Sequence, residues 1–501
     1  MKKLTKVLLV LAASILMLAG CGNDIPENKV FGVDDLEGSV IGVQLGTTGD
    51  IYVTDYEGDA AGTVVERYNK GTDAIQALKQ GKIDCVLIDE QPAIQYVALN
   101  SGLTILDEEF ALEDYAFAVG KENDALLNSM NDALEKLKAN GTLDDINENY
   151  IGSDEVKGTK PYQKREVDRS NGTIVVATNA AFKPYEYYEN GEIVGIDIDI
   201  MQAICDELGM EMVIEDMEFD SVITAVASGK ADVGASGLTV TEERKKNINF
   251  TTSYTTAKQV IIVRGGEEKA TASLAEKFHS NFIEDSRYMY LVKGFFNTLI
   301  ITIFAVIIGI ILGFIIAIIR TSHDRNGGLT ILNAICKVYL TIIRGTPAMV
   351  QLLIIYYVIF ASTSINKLVV AIIAFGINSA AYVAEVVRSG IMAVDQGQFE
   401  AGRSLGLTYN QTMRFIILPQ AVKNILPALC NEFISLLKET SISGYIGLAD
   451  LTKGGDIIRS VTFDAFMPLI AVAIVYLVIV MLLTHGMNKL ERSLRSNERD
   501  E

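Results

Sequence analysis

The stretch Gln44-Leu-Gly-Thr-Thr-Gly-Asp-Ile-Tyr52 combines glycines, which expose backbone N–H groups, with two threonine hydroxyls. That combination suits an anion. Arg244, just beyond Gly237-Leu-Thr239, carries a planar guanidinium that meets a carboxylate bidentately. Asp89 ends the run Cys85-Val-Leu-Ile-Asp89 and offers the opposite charge to an ammonium. A cation and an anion brought together would match the two ends of an α-amino acid. By residue type alone, Arg244 is equally a solvated charge beside Lys245-Lys246, and Asp89 equally a helix cap. The sequence has three His and no Gly-x-x-x-x-Gly-Lys-Ser/Thr loop, metal-ligand spacing or nucleophile–base arrangement, so ATP hydrolysis and cofactor chemistry are not expected of it.

Elements that could position such residues are visible as an echo. Gln76-Ala-Leu-Lys-Gln-Gly-Lys-Ile-Asp84 leads into Cys85–Asp89, and Thr224-Ala-Val-Ala-Ser-Gly-Lys-Ala-Asp232 leads into Val233–Gly237. Each reads as a helix end, a Gly-Lys turn and a short buried strand. Ligands of open α/β sheets bind beyond the carboxyl ends of strands, so Asp89 and Gly237–Thr239 are expected to face a shared cleft between two similar lobes.

Composition divides the chain. Of 501 residues 49% are hydrophobic and the net charge is −20, yet residues 291–501 carry 17 Lys+Arg against 13 Asp+Glu. An acidic first part joined to a slightly basic apolar part excludes a nucleic-acid binder. Lys2, Lys3 and Lys6 precede a short apolar run ending in Leu18-Ala-Gly-Cys21, which resembles a bacterial lipobox. Residues 1–20 are then a lipoprotein signal peptide, with an uncleaved anchor as the other reading, and Cys21 is the lipidation site. Cys85, Cys205, Cys336 and Cys430 read as packing residues. Apolar spans are expected at 295–319, 338–360, 368–387, 424–442 and 466–484, the second broken at Arg344-Gly-Thr-Pro347. Arg320, Arg325, Arg388, Arg403, Arg414, Lys423 and the basic C-terminal residues then fall on one side, the cytoplasm, with the lobes outside.

Specific motifs now suggest a family. Val176-Ala-Thr-Asn-Ala-Ala-Phe-Lys-Pro-Tyr-Glu-Tyr187, Gly195-Ile-Asp-Ile-Asp199 and Gly237-Leu-Thr-Val-Thr-Glu-Glu-Arg-Lys-Lys246 resemble the first lobe of a polar amino-acid-binding protein of ABC importers, family 3 type. Leu45-Gly-Thr-Thr-Gly49 and Asp89-Glu-Gln-Pro-Ala93 resemble its second lobe, and 121–151 its closing helix. The lobes stand in reversed order, as though circularly permuted. Glu400-Ala-Gly-Arg-Ser-Leu-Gly406, followed by Ile416-Ile-Leu-Pro419, resembles the permease loop that docks on the ATPase, with Gly402 where an Ala is common. Arg344-Gly-Thr-Pro347, Ala381-Tyr-Val-Ala-Glu385 and Leu437-Lys-Glu-Thr440 resemble the histidine/glutamine permease subfamily.

The resemblance implies an α/β two-lobed, periplasmic-binding-protein-like clamshell (permuted), followed by an all-α five-helix permease. Its expected segments are a tether at 21–35, the second lobe with closing helix at 36–151 and a linker at 152–172. The first lobe at 173–266, a linker at 267–290, the permease at 291–490 and a cytoplasmic tail at 491–501 follow. It implies a ligand carboxylate on Arg244 and Thr239, helped by Thr47 or Thr48, and an ammonium on Asp89. Phe182 and Phe219 would sandwich the ligand side chain. Gly237, Gln44 and Asn179 complete the set, the last two neutral and favouring glutamine, with basic amino acids next; Glu186 could add charge. Glu400, Ala401 and Gly406 would meet cytoplasmic ABC ATPase subunits supplied in trans, and the permease would form a homodimer or pair with a related permease. An amino-acid-gated channel of the glutamate-receptor type, or a clamshell enzyme, are the competing readings.

Overall fold

The computed structural model describes residues 25–58, 60–265, 273–361 and 365–496. The signal peptide and Cys21 therefore lie outside the described residues. The strands in chain order are β1 (Val40–Gln44), β2 (Val64–Tyr68), β3 (Cys85–Asp89), β4 (Leu103–Tyr115), β5 (Ala118–Gly120) and β6 (Thr173–Thr178). They continue as β7 (Ala181–Phe182), β8 (Glu186–Glu189), β9 (Glu192–Val194), β10 (Glu211–Asp216), β11 (Val233–Gly234), β12 (Ile248–Phe250) and β13 (Thr255–Arg264). Two sheets share one plan. The first runs β2-β1-β3-β13-β4 and the second β10-β6-β11-β5-β12. In each, three parallel strands are followed by an antiparallel strand from a distant part of the chain.

The echoed Gly-Lys segments build matching corners of the two sheets. Gly81 (φ +70°) and Gly229 (φ +71°) end their helices in the left-handed conformation that glycine adopts without steric cost. Lys82 N donates to Ala77 O at 3.0 Å, and Lys230 N to Ala225 O at 2.9 Å. Both aspartates then clamp the neighbouring strand: Val40 N donates to Asp84 Oδ2 at 2.7 Å, and Val175 N to Asp232 Oδ2 at 2.8 Å.

The chain divides into two compact units, residues 1–111 with 258–269, and residues 112–257 with 270–501. These boundaries correct the expected lobes. β5 joins the second sheet, so 112–120 leaves the lobe assigned to 36–151. β13 pairs with β3, so 258–264 leaves the lobe assigned to 173–266. Both shifts arise because β4 and β13 run unbroken across the change of unit, with no turn residue to mark it.

In the first unit Ile41, Val43, Val53, Cys85, Leu87, Ile261 and Val263 form the core. In the second, Phe117, Val119, Met130, Leu134, Val176, Ile200 and Ile204 pack around the sheet. Residues 152–172 carry no helix or strand. They are fastened to the Ile196–Leu208 helix through Asp206, which accepts from Tyr162 Oη (2.8 Å), Arg165 N (2.8 Å) and Arg169 Nη2 (2.5 Å).

The rest of the second unit is helical. Helices at 288–324, 367–392 and 466–489 are long and apolar enough to cross a membrane, and Thr330–Gly345 with Ala348–Ile359 forms a pair bent by 110°. Pro347 accounts for the bend: it drives Thr346 into extended backbone (φ −123°, ψ 147°) and offers no N–H. Gln351 Nε2 takes up the freed carbonyls of Ile343 (2.8 Å) and Thr346 (3.0 Å), and its Oε1 accepts from Asn378 Nδ2 at 2.9 Å. The expected span at 424–442 falls mostly within the helix Leu418–Glu439. That helix is not among the apolar ones, because Lys423, Glu432, Lys438 and Glu439 interrupt its apolar character.

Candidate functional site

In the first unit the candidates gather at the carboxyl ends of β1 and β3, which lie side by side and parallel. Gln44 closes β1, and Thr47 caps the helix Thr48–Thr54. Thr47 Oγ1 donates to Gln44 O at 2.8 Å. Gly46, at φ +79°, aims its N–H at Asp50 Oδ2 (2.9 Å). The loop thus already answers part of its own positive potential. Asp89 ends β3, is buried, and starts the helix Glu90–Leu99. Opposite Asp89 in the ladder stands Gln259, fully buried, whose Nε2 lies 3.5 Å from Thr48 Oγ1. Sequence reasoning missed Gln259, which only the pairing of β13 with β3 brings opposite Asp89.

The second unit brings together Asn179, Phe182, Phe219, Gly237, Thr239 and Arg244 around the ends of β6 and β11. Gly237 has φ +51°, and an added Cβ would stand 3.0 Å from the Phe182 ring, so glycine is needed there twice over. Its N–H donates to Asp197 Oδ2 at 2.9 Å. Asp197 also accepts from Tyr254 Oη at 2.6 Å, and burial pushes its carboxyl up to about 6. Thr239 Oγ1 donates to Glu113 Oε2 at 2.7 Å. Arg244 is buried, 6% exposed, with Nη1 donating to Thr239 O at 2.8 Å and its guanidinium 5.9 Å from the centre of the Phe219 ring. It is thus not the solvated charge its lysine neighbours suggest.

Two assignments change in character. The Asn179 amide is committed to backbone, Nδ2 donating to Met217 O at 2.7 Å. Glu186 is fully buried and accepts from Ser236 Oγ at 2.9 Å. Asp197, Glu113, Ser236 and Asp216 escaped the sequence reading because nothing local shows that they converge. Asp216 Oδ1 accepts from Ala180 N at 3.0 Å, tying β10 to the Asn179 turn.

The helical part carries the remaining candidates. Glu400 and Ala401 are exposed on the helix Gln396–Ser404, and Gly406 follows at φ +79° with open space around it. Phe399 and Gly402 face inward. A Cβ on Gly402 would come within 2.6 Å of Thr412 Cγ2, which accounts for glycine at that position. Two motifs read separately in sequence also meet: Glu385 lies 2.8 Å from Arg388, 3.6 Å from Arg344 and 3.9 Å from Arg320.

Comparison with known proteins identifies the families involved. The family described as bacterial extracellular solute-binding proteins, family 3, matches residues 174–447, more than half of the chain. A putative glutamine transport system permease protein of Rickettsia bellii is 38% identical over 210 residues, 42% of this chain and 94% of that one. The arginine transport system permease protein of Bacillus subtilis is 37% identical over 211 residues, again 42% and 94%. A crystal structure of an amino acid ABC transporter with histidines is 40% identical and covers 45% of this chain and 100% of that one, with a TM-score of 0.40. The chain thus belongs to family 3 of the bacterial extracellular solute-binding proteins, joined in one polypeptide to a permease of the amino-acid ABC transporters.

Proposed function

We propose that this chain is the receptor and permease of an ATP-driven importer for a polar amino acid, glutamine before the basic amino acids. The observation that carries the reading is the buried Arg244 guanidinium, held by the Thr239 carbonyl beside Phe219. A guanidinium fixed in this way is preorganised for a carboxylate. Arg244 and Thr239, with Thr47 or Thr48, take the ligand carboxylate, and Asp89 takes the ammonium. Phe182 and Phe219 flank the side chain, and the uncharged Gln44 and Asn179 favour a neutral amide. Capture works because the ligand adds binding energy to one arrangement of the receptor over another.

The binding units lie outside the cell, anchored through Cys21, and the amino acid passes through a pore formed by two permease copies. Hydrolysis belongs to separate ATPase subunits that seat on Glu400, Ala401 and Gly406. The glutamine and arginine permeases among the relatives support this reading and weigh against an amino-acid-gated channel.

Calorimetric titration of the detergent-solubilised chain with each of the twenty amino acids tests the assignment. Glutamine is expected to bind, and Arg244→Ala to weaken it at least about a hundredfold. Glu400→Arg is expected to abolish uptake while leaving binding intact. Binding of no amino acid would overturn the reading.

A further inference from the structure

The second unit contains a contact that the transport reading does not require. The acidic strand end Glu215-Asp216-Met217-Glu218 is covered by the helical part of the same chain. Lys453, in the first turn of the helix Leu451–Thr462, is 5% exposed. Its Nζ lies 3.2 Å from Asp216 Oδ2 and 3.4 Å from Glu218 Oε1. Tyr188 Oη joins Asp216 Oδ2 at 3.2 Å. Lys367 pairs with Glu215 and donates to Gly447 O at 3.2 Å. From the receptor side Lys230 reaches Phe360 O (3.3 Å) and stands 4.5 Å over the Tyr356 ring. Around these charges Met217, Val222, Ala225 and Leu238 share one apolar core with Leu352, Tyr356, Tyr357 and Phe375.

Lys453 is itself rigidly set. Asp450 caps its helix, accepting from Lys453 N at 2.7 Å, and Leu451 N donates to Thr298 Oγ1 at 3.1 Å. Gly447, at φ +67°, lies so close to the receptor that a Cβ there would fall 1.7 Å from Asp216 O. Undocking would expose to water the apolar core around these charges, and a continuous hydrophobic core of this kind is typical of permanent rather than transient interfaces. Such a contact suits permanent association better than repeated docking and release.

We propose that residues 112–257 are a resident part of the permease, locked to it through Lys453 on Asp216 and Glu218 whether or not an amino acid is bound. The same surface is thereby closed to a separate, freely diffusing binding protein. This inference rests on the receptor–permease reading above, but its test fails separately from that one.

The test uses the full chain with a protease site inserted between Gly265 and Ser273, the only covalent passage from receptor to permease. After cleavage in detergent, the receptor piece is expected to co-purify with the permease, equally with and without glutamine. Lys453→Glu is expected to cut retention about a hundredfold or more while calorimetry on the uncut chain still registers glutamine. Gly447→Val, which wedges the contact against the Asp216 carbonyl and crowds Lys367 Nζ while leaving Lys453 in place, is expected to do the same. Release of the parent receptor on cleavage would overturn the proposal, as would retention that depends on glutamine or survives Lys453→Glu. Absence of glutamine binding in the uncut parent would instead indict the transport assignment.

Discussion

The two sheets place opposite charges at one position. Aligned through their clamping aspartates, Arg67, opposite Val43 in the first sheet, corresponds to Asp216, opposite Thr178 in the second. Arg67 is satisfied locally, 2.7 Å from Asp50 and 2.9 Å from Glu57. Asp216 is satisfied by Lys453, more than two hundred residues away in the helical part. The Gly-Lys corners differ in the same sense: Lys82 is exposed, whereas Lys230 touches Phe360 and Tyr356. One scaffold thus serves two ends, one copy closing its charges on itself and the other leaving them for the permease. A repeated fold fixes backbone positions, and the side chains at one strand end decide whether the copy stands alone.

Exchanging the two residues is the sharpest way to break this comparison. Asp216→Arg places a second cation beside buried Lys453 and removes the acceptor of Ala180 N, and should cost about 3–5 kcal/mol. Arg67→Asp should cost less, about 1–2 kcal/mol after allowing for partial exposure, because water reaches its partners. Thermal unfolding of the solubilised chain should therefore show a much larger fall in midpoint for the first. Equal losses would mean that the two positions are not differently used.

A second test concerns Asp197, which accepts a glycine N–H as Asp50 does in the first unit but faces Tyr254 where Asp50 faces Arg67. Burial raises its carboxyl from 3.8 to about 6, so the folded chain retains a proton that the unfolded chain has lost. Its contribution to stability is present in full below pH 3.8 and disappears as pH rises through 6, a change of about 3 kcal/mol. The stability of the parent relative to Asp197→Asn, followed by denaturant midpoints, should fall by about 2 kcal/mol of this between pH 4 and pH 7. A flat difference would show that the Asp197 carboxyl titrates alike in the folded and unfolded chain.

The smallest effect tests where the copies agree. Gly229→Ala meets no neighbour and should cost about 1 kcal/mol for its left-handed backbone. Gly81→Ala should cost more, because its Cβ would stand 2.4 Å from Pro26 Cδ. Paired melting curves would resolve the two.

Features set by local chemistry were legible in the sequence. The Gly-Lys-x-Asp echo predicted matching corners because each glycine, turn and aspartate acts on residues within reach of its own strand. Pro347 announced a broken helix for the same reason. The unit boundaries at 111 and 257 were not legible, since an unbroken strand carries no punctuation. Arg244 shows the limit for sites: its residue type suggested a carboxylate partner, but its burial depends on Thr239 and Phe219 folding over it. Asp197, Gln259 and the Lys453 contact were invisible because each joins segments that only the folded chain brings together.

The antiparallel strand in each sheet has a consequence for the growing chain. β3 is buried between β1 and β13. β13 ends at Arg264, about 175 residues beyond Asp89, so at 5–20 residues per second β3 waits roughly 10–35 s for its neighbour. Throughout that interval it presents a hydrophobic edge of the kind that invites pairing with other chains. The second sheet has no such delay, since its β5 is made before β6. The sheet begun first is therefore the sheet completed last, and during biosynthesis it needs protection longest.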